Sequence, residues 1–376
     1  MIVLHLPSWF PREDKPLDGN FILRQIAAVA PSATSIIVHH TEQPFDRECA
    51  KMIDDRIIFR PIFTQRGTSK FQMLRAYDYE VEKIIKKYGK PDLIHLHVAL
   101  PLAPVALWLS YRYRIPLIIS EHWSIYQPQN RNQLSLAQRL QLRQVYRRAS
   151  LLTTVSENLH QAICATVRSA RKVPYAGISN VVDTQIFTLG DSTSNHKKKQ
   201  ILHVSTLDNK AKNIMGILRV VEQLSHIRSD FELNIIHDLR NEAVEQYIED
   251  KKLGDYIHLL GKKTELEVAQ NIQQSDFMLQ FSNYENQPCV LLESFCCGKP
   301  ILATTVGGIP EIANENNSIL VASQDEKQLL EQMIKMLDTC HNYDAERIRQ
   351  EAIEHYAQAV IGKKILACYQ QVTRQA

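Results

Sequence analysis

The amino-acid sequence predicts an α/β protein built from two doubly wound parallel sheets, and three observations lead to this fold class. Strand-like segments alternate with helix-like segments along all 376 residues, as in parallel sheets joined by helical crossovers. That length suffices for two domains of ordinary size. Near the middle, the polar segment 189–200 (LGDSTSNHKKKQ) interrupts the alternation with the composition of a linker. We therefore expect two such domains whose strand ends face each other across a cleft.

The predicted elements follow in order along the chain. Each strand is a short apolar run, and each helix carries apolar residues at helical spacing. In the first half the predicted strands are 1–6, 35–40, 56–60, 92–97, 116–121, 151–156 and 177–182, with helices at 70–88, 101–114, 134–148 and 157–169. In the second half the predicted strands are 200–205, 231–237, 257–260, 277–282, 300–304 and 318–321; the helices are 213–226, 242–252, 264–274, 289–297 and 325–338, before one long helical pattern from about 344 to 373.

The predicted organisation is a first domain at 1–188, a linker at 189–199, a second domain at 200–355 and a helical segment at 356–376. No run approaches the length of a membrane-spanning helix, so none is expected. The apolar start MIVLHLPSWF lacks a basic leader and a small-residue cleavage site, which predicts a first strand rather than a signal peptide. Seven cysteines without paired spacing favour reduced thiols and a cytoplasmic location.

The net charge of +3 conceals an asymmetry between the two halves. Residues 1–185 hold 24 Lys/Arg and 15 Asp/Glu, whereas residues 186–376 hold 20 and 26. A basic first half suggests an anionic partner such as lipid headgroups, although an unevenly charged solvated surface gives the same composition. Segment 132–149, with its leucines and four arginines, suits a helix lying on a membrane surface or an ordinary helix packed on a sheet. Without a binding motif, nucleic acid is not an expected partner.

The segment 279–310, LQFSNYENQPCVLLESFCCGKPILATTVGGIP, carries most of the functional information. A strand-like run precedes a polar turn that holds Glu285, and a helix then runs from Pro288 to Gly298. Glu285 is therefore expected at the helix N-terminus, and Glu293 about one and a half turns inside the helix. Free N–H groups at such a terminus can bind an anion without a charged side chain. The segment thus predicts two carboxylates and an anion site at one strand end.

This segment resembles the E-x(7)-E signature of glycosyltransferase family 4, whose members are retaining transferases with the GT-B architecture of two Rossmann-like domains. The resemblance extends over nearly the whole chain. It includes the start (Leu6-Pro-Ser-Trp-Phe-Pro with Gly19-Asn-Phe), two strands (Asp92-Leu-Ile-His-Leu-His and Ile119-Ser-Glu-His-Trp), the segment Ser179-Asn-Val-Val-Asp with Phe187, and the opening His203-Val-Ser with Lys212-Asn. In this family the last helix crosses back to the first domain, and the resemblance implies the same here.

The resemblance assigns roles to residues of the second domain. It implies that Glu293 holds the ribose hydroxyls of a nucleotide sugar and that Glu285 lies near the transferred sugar, in catalysis or in positioning. The backbone of Asn286 to Val290 (Asn286, Gln287, Pro288, Cys289 and Val290) would receive the leaving diphosphate. Gly307 and Gly308, followed by Glu311, permit close backbone approach to the same place.

A departure from the family concerns the donor phosphates. Family members usually place an Arg and a Lys after the first strand of the second domain. Here Lys212 matches the lysine, but Ser205 or Thr206 stands at the arginine position, so that Lys210 is the candidate second cation. In the first domain the resemblance implies that His122 lies at a strand end close to the donor sugar, as a catalytic residue, and that Gly19 lies near the donor phosphates.

The predicted function is metal-independent transfer of a hexose from a nucleotide diphosphate sugar, with retained configuration, to the hydroxyl of a glycan or lipid-linked acceptor. No D-x-D motif is present, and no cofactor or metal is expected. Such enzymes often build surface polysaccharide, lipopolysaccharide or protein-linked glycans, which implies a cytoplasmic protein, peripheral on the inner face of the membrane. The alternatives are a nucleotide-sugar epimerase of the same fold and a non-catalytic nucleotide-sugar-binding protein.

Overall fold

The computed structural model describes residues 1–11, 18–41, 56–64, 67–190 and 197–375. Within these residues the chain forms two units, one of Met1–Val181 with Gln358–Ala376 and the other of Val182–Ala357. No helix among the described residues is long and apolar enough to span a membrane. None of the six described cysteines forms a disulfide with another described residue, and Cys49 lies outside the described ranges.

The first unit contains a parallel sheet of seven described strands in the order β3-β2-β1-β4-β5-β6-β7. The strands are β1 (Ile2–Pro7), β2 (Thr34–Thr41), β3 (Ile57–Phe63), β4 (Leu93–His97), β5 (Leu117–Glu121), β6 (Leu151–Thr154) and β7 (Tyr175–Gly177). The helices are α1 (Asn20–Val29), α2 (Lys70–Tyr88), α3 (Ala103–Arg112), α4 (Leu136–Arg148) and α5 (Glu157–Thr166), with 3₁₀ turns at Ser124–Tyr126, Arg131–Gln133 and Arg168–Lys172.

The side chains of this sheet alternate between two buried faces, as the strand period requires. Leu4 and Leu6 of β1 pack into the core on the side of α2 to α5, while Val3 packs into the core on the opposite side. Helices α2 and α4 begin with capping boxes at Ser69 and Ser135. Each serine side chain accepts the backbone N–H of the glutamine three residues later, and the side chain of that glutamine accepts the serine backbone N–H. Local sequence therefore fixes where these helices begin.

The second unit repeats the design with a parallel sheet of six described strands in the order β10-β9-β8-β11-β12-β13. The strands are β8 (Lys199–Val204), β9 (Phe231–Ile236), β10 (Ile257–Gly261), β11 (Phe277–Gln280), β12 (Ile301–Thr304) and β13 (Ser318–Val321). The helices are α6 (Asn209–Lys212), α7 (Ile214–Ser225), α8 (Glu242–Asp250), α9 (Glu265–Gln274), α10 (Cys289–Cys296), α11 (Glu326–Thr339) and α12 (Ala345–Tyr356), with 3₁₀ turns at Ile309–Glu311 and Cys340–Asn342.

The division between the units comes earlier than the predicted boundary at 188/189. Val182 and Phe187 are buried in the apolar core of the second unit, and the Val182 N–H donates to the carbonyl of Tyr356 at 3.0 Å. Burial of these apolar side chains, rather than the polar composition of 189–199, decides where the second unit begins. Of that predicted linker, residues 191–196 lie outside the described ranges, and Lys199 already belongs to β8.

The long C-terminal pattern is two helices rather than one. Ala357 has extended backbone (φ −60°, ψ 146°) and separates α12 from a last helix, α13 (Gln358–Arg374). The break occurs because the chain leaves the second unit here and returns to the first. In the first unit α13 packs against α1 so closely that a Cβ on Gly362 would lie 2.0 Å from the carbonyl oxygen of Ala28.

Candidate functional site

Glu285 is the centre of a buried polar cluster in the second unit. It follows β11, and only 9% of it is exposed. Its Oε1 accepts hydrogen bonds from Lys212 Nζ at 2.6 Å, from Ser282 Oγ at 2.8 Å and from Gln280 Nε2 at 3.2 Å. A carboxylate held by one cation and two neutral donors has a fixed orientation. The predicted motif glutamate is therefore a positioned group rather than a solvated loop acid.

Lys212 reaches this carboxylate because two loops are tied together. The loop after β11 donates the Asn283 backbone N–H to the carbonyl of Ala211 at 2.7 Å, and Asn283 Nδ2 to the carbonyl of Lys210 at 3.0 Å. These bonds fix the short helix α6 beside Glu285. Lys212 lies in that helix and pairs with Glu285, whereas Lys210 is exposed. The structure thus brings only Lys212, of the two predicted lysines, to the carboxylate.

Gly307 lies directly against the Glu285 backbone. It has φ +57°, and a Cβ built on it would stand 1.7 Å from the Glu285 carbonyl oxygen. The neighbouring Gly308 N–H donates to the carbonyl of Asn286 at 2.9 Å. The loop after β12 is therefore stacked on the loop after β11. This packing accounts for the Gly-Gly pair that the sequence singled out, because no side chain fits at 307.

Helix α10 begins next to this cluster. Cys289 is its first residue, and Pro288 stands one position earlier, at the N-cap, rather than in the predicted first turn. Among the described residues, no side chain caps this helix. The N–H groups of a first helical turn have no partner inside the helix and attract anions. Gln287 is buried and Val290 half-buried, so this terminus is partly shielded from solvent.

Glu293 lies one turn into α10 and is only 6% exposed. An ionised carboxylate in such a place requires polar partners, because burial of an unpaired charge is costly. Its neighbours Leu292 and Phe295 pack in the apolar core beneath the helix. The position inside the helix agrees with the prediction, and the burial distinguishes Glu293 from an ordinary surface acid.

Ser205, which the resemblance sets at the position of an expected arginine, is engaged within the protein. Its Oγ lies 2.8 Å from Nε2 of His203 and accepts the Leu207 N–H at 3.2 Å. His203 Nδ1 lies 2.9 Å from the Leu279 carbonyl, and burial lowers the pKa of this histidine to about 4. The ring is thus neutral near pH 7. Ser205 and His203 therefore support the strand ends, and Lys212 is the cation that the structure places at Glu285.

Sequence reasoning missed two contacts of Glu285. The pattern predicts that Gln280 and Ser282 belong to a strand over 277–282, but β11 ends at Gln280 and both side chains donate to the carboxylate. Gln280 Oε1 has no hydrogen-bond partner among the described residues although it is buried. The available signal was the presence of two polar residues in the otherwise apolar run FMLQFS.

In the first unit, Gly19 shapes the loop after β1. Its φ of +72° places it at the N-cap of α1, and a Cβ there would lie 2.5 Å from the carbonyl oxygen of Trp9. The close approach holds Trp9 over the end of the sheet, where its ring meets Trp123 edge-on at 5.7 Å. Gly19 therefore has a backbone role at this strand end, and its contact with donor phosphates stays a prediction.

His122 follows β5 and belongs to the same aromatic group. Its ring centroid lies 4.6 Å from that of Phe21, which in turn lies 6.3 Å from that of Trp9. Desolvation lowers the pKa of His122 to about 3. The imidazole is therefore neutral near pH 7 and suits hydrogen bonding better than proton abstraction. His122 directly follows β5, and its catalytic role stays a prediction.

Beside this group lies an apolar pocket of about 420 Å³, wholly within the first unit. Trp9 and Trp123 form one wall, Leu100 to Leu102 lie at the carboxyl end of β4, and Met73 of α2 contributes the opposite side. Ligand pockets of this kind bury apolar groups and orient them with a few polar contacts. Local sequence patterns did not predict this pocket, because its lining residues come from distant segments.

Beneath the strand ends of the first unit lies a layer of buried histidines. The sheet register sets His5 beside His95, and His5 Nδ1 lies 3.0 Å from Nε2 of His97. Their ring nitrogens lie within 4.8 Å of one another, so they are the candidate metal ligands of the described residues. Both nitrogens of His5 and both of His95 already contact other side chains. A metal would therefore have to displace an existing hydrogen bond.

Glu121, the last residue of β5, is fully buried below His122. Its Oε1 accepts the Ala99 N–H at 3.0 Å and the hydroxyls of Tyr126 and Tyr146 at 2.8 and 3.1 Å. Desolvation outweighs these donors and raises the pKa of Glu121 to about 7. The residue thus anchors the loop after β4 and the 3₁₀ turn after β5, and its charge depends on pH in the physiological range.

Two family models match this chain. The family model described as "Glycosyl transferases group 1" matches residues 187–355, and the model described as "Glycosyltransferase Family 4" matches residues 32–186. The chain is 24% identical over 301 residues to N-acetyl-alpha-D-glucosaminyl L-malate synthase of Bacillus anthracis, covering 75% of each protein.

Two solved structures extend the likeness to the whole fold. The Anabaena protein HepE in complex with UDP has a TM-score of 0.79 at 18% identity, over 99% of this chain and 100% of that one. Sucrose-phosphate synthase from Thermosynechococcus elongatus has a TM-score of 0.79 at 16% identity, over 100% of both chains. At these identities the likeness shows the fold, which is the GT-B architecture. The two family matches, which meet at residues 186 and 187, identify the chain as a glycosyltransferase of the group 1 and family 4 type.

Proposed function

We propose that the protein transfers a hexosyl group from a nucleoside diphosphate sugar to an acceptor hydroxyl, with retention of anomeric configuration and without a metal ion. The observation that carries the proposal is the 2.6 Å pair of Lys212 and Glu285 beside the start of α10. A cation, an acid and a helix N-terminus at one sheet edge suit a sugar diphosphate, which carries a neutral sugar and an anionic leaving group. The UDP held by the similar protein HepE supports this assignment.

Within the second unit each group takes one part of the donor. The α10 N-terminus and Lys212 meet the charge that develops on the leaving diphosphate. An ammonium has three N–H donors, so Lys212 can hold Glu285 and still donate to a phosphate oxygen. Glu293 accepts hydrogen bonds from the ribose hydroxyls, and Glu285 accepts from hydroxyls of the sugar. A cationic side chain and backbone dipoles replace the divalent ion that metal-dependent transferases use.

The proposed step forms one bond and breaks one bond at the anomeric carbon. The acceptor oxygen bonds to that carbon on the face from which the diphosphate departs, so the configuration is retained. The C1–O bond to the phosphate breaks, and a phosphate oxygen takes the acceptor proton. No side chain needs to act as a covalent nucleophile. The neutral His122 fits a hydrogen bond to the donor sugar, consistent with its low pKa.

The acceptor is proposed to bind in the first unit, in the pocket of Trp9 and Trp123. Tryptophan rings stack on sugar faces and equally cover an alkyl chain. The pocket lining is predominantly apolar, with Lys70 as a cationic side chain at its wall. This combination favours an acceptor with an apolar aglycone, such as a lipid-linked glycan of a surface polysaccharide or lipopolysaccharide.

A peripheral position on the inner face of the cytoplasmic membrane follows from that acceptor and remains part of the proposal. Leu136 and Leu140 of α4 are 86% and 56% exposed, and Arg143 and Arg147 lie on the same helical face. Exposed leucines beside arginines suit contact with anionic lipid.

The first experiment is a thermal-shift assay with UDP, GDP and their sugars in the presence of a chelator. Wild type is compared with Glu293→Ala and with the control Glu331→Ala, which removes an exposed acid of the same unit. A ligand that binds only the folded state raises the melting temperature. We expect one nucleotide to raise it in wild type and control but not in Glu293→Ala, each protein being referred to its own ligand-free value. A shift that persists in Glu293→Ala would remove the ribose assignment, and no shift in any protein would remove the donor site.

A further inference from the structure

The positive charge of the first unit is concentrated in one stretch of sequence. Residues 122–182 contain eight Lys/Arg and a single acidic residue, Glu157. That acid lies 3.3 Å from a ring nitrogen of His160 on its own helix. This stretch therefore carries most of the net positive charge of residues 1–185, and its single acid, Glu157, contacts His160.

Five of these cations line one groove of about 640 Å³, and one of them, Arg139, donates hydrogen bonds to the carbonyls of Leu134 and Arg131. Arg143 and Arg147 project from α4, and Arg168 and Lys172 project from the 3₁₀ turn that follows α5. The two walls are joined by a hydrogen bond from Ser169 Oγ to the carbonyl of Arg143 at 3.1 Å. The buried side chains of Tyr146 and Val167 form the floor. The groove is thus a built concavity, with cations on both sides.

These cations have no acidic partner among the described residues. Elsewhere in the described chain, arginines with an acid nearby form ion pairs, such as Arg60 with Glu80 and Arg228 with Asp230. The side chains of Arg143, Arg147, Arg168 and Lys172 form no ion pair or hydrogen bond with other described residues, and no acidic residue lines the groove. Five like charges in one concavity repel one another unless an anion is bound. The unit therefore maintains an unfavourable charge arrangement that a ligand would relieve.

The groove is separate from the strand-end site in the same unit. Residues 149 and 173 line it just before β6 and β7 begin, which places it at the amino-terminal edge of the sheet. The pocket of Trp9 and Trp123 lies at the carboxyl-terminal edge. Ligands of open parallel sheets bind at the carboxyl-terminal edge, so the groove has no part in the proposed transfer site.

We propose that this groove binds a phosphate-bearing group, at a second anion site distinct from the site of sugar transfer. Guanidinium groups bind phosphate oxygens bidentately, and lysine adds a point charge. The volume accommodates a group with more than one phosphate, and the opposed walls let cations contact it from two sides. The group is carried either by a soluble phosphate ester or by a phospholipid headgroup. The proposal concerns binding alone and does not depend on which sugar is transferred.

The test measures binding of inorganic tripolyphosphate by titration calorimetry at about 0.15 M salt. Wild type is compared with Arg143→Gln/Arg168→Gln and with Lys86→Gln/Lys363→Gln, a control that removes the same charge from exposed positions of the same unit. We expect at least tenfold weaker binding in the arginine variant and little change in the control, since surface charges act weakly at a distance in salt. Equal weakening in both variants, or full binding by the arginine variant, would overturn the proposal.

A second arm identifies the source of the phosphate. The same three proteins are sedimented with phosphatidylglycerol vesicles. Phosphatidylcholine vesicles serve as the reference. Loss of phosphatidylglycerol binding only in the arginine variant assigns the groove to a lipid headgroup. Unchanged vesicle binding with lost tripolyphosphate binding assigns it to a soluble ester. If wild type binds neither probe, the groove is not an anion site. The nucleotide thermal shift of the arginine variant reports separately on the proposed donor site and on folding.

Discussion

Gly307 and Glu285 are in direct backbone contact, so that a Cβ on Gly307 would stand 1.7 Å from the carbonyl oxygen of Glu285. The two residues come from loops that follow neighbouring strands, β12 and β11. The carboxylate of Glu285 is oriented by Lys212, Ser282 and Gln280, and its backbone is held in place by a residue without a side chain. The position of Glu285 therefore requires that residue 307 have no side chain.

The first prediction concerns Gly307→Ala. The added methyl group cannot occupy its position without moving the Glu285 loop, and alanine at positive φ adds about 1 kcal/mol of backbone strain. We expect loss of the nucleotide thermal shift and at least tenfold lower transferase activity, with a fall in unfolding free energy of roughly 1–3 kcal/mol.

The matched control is Gly254→Ala, at an exposed glycine of the same unit where an added methyl group would meet no atom within 4 Å. This variant should keep both the shift and the activity. If Gly307→Ala bound nucleotide as wild type does, the packing of the two loops would have no role in the donor site.

The second prediction separates the two lysines of α6. Lys212→Gln removes the cation that lies 2.6 Å from Glu285, while Lys210→Gln removes an exposed one. Hydrogen bonds to charged groups are worth about 1.5–3 kcal/mol, which corresponds to a loss of roughly tenfold to a hundredfold in donor affinity for Lys212→Gln. Lys210→Gln should change affinity less than threefold or so, as expected for a surface charge. The measurement is the affinity of both variants for the stabilising nucleotide. An equal loss of affinity in the two variants would show that Lys210 also binds the donor.

The third prediction is a pH dependence of stability that arises from Glu121. Burial raises the pKa of this carboxyl to about 7 in the folded protein, above its value in the unfolded chain. Its stabilising contribution is therefore complete below about pH 4.5 and is lost as the pH rises through about 7. The loss amounts to about 3 kcal/mol, since each pKa unit corresponds to about 1.4 kcal/mol.

The measurement compares denaturant unfolding of wild type and Glu121→Gln across this range. Buried His5 and His122, whose pKa values are lowered to about 3, have the opposite effect, because they destabilise the fold as the pH falls below about 6.5. The difference between the two proteins cancels the histidine contribution. We expect wild type to lose stability relative to Glu121→Gln as the pH rises; parallel curves would show that Glu121 does not titrate here.

The fourth prediction tests the apolar pocket as the acceptor site. Each buried methylene contributes about 0.8 kcal/mol, or roughly fourfold in affinity. Alkyl glucosides of increasing chain length should therefore bind wild type with steadily rising affinity, as followed by tryptophan fluorescence. Trp123→Ala should flatten this dependence, whereas Trp108→Ala, at a 43% exposed ring that does not line the pocket, should preserve it. A chain-length dependence that survives in Trp123→Ala would place the acceptor elsewhere.

The order of the elements was accessible from sequence because it depends on local patterning. Strands such as Leu117–Glu121 and Phe231–Ile236 are short apolar runs, and serine or threonine N-caps mark several helix starts, so each can be recognised from a few neighbouring residues. The spacing of Glu285 and Glu293 likewise placed one acid in a loop and the other inside a helix. The structural division after Val181 lies a few residues before the predicted boundary at 188/189, because Val182 is buried in the core of the second unit.

The sequence by itself determined the fold class, the two sheets and the candidate carboxylates, since all of these follow from the period and composition of short segments. Only the tertiary structure decided that Lys212 rather than Lys210 meets Glu285 across 73 positions of chain, that Gly307 supports that acid, and that five cations share one groove. The physical reason is that these contacts join residues distant in sequence, and their geometry depends on how loops and helices pack after the sheets have formed.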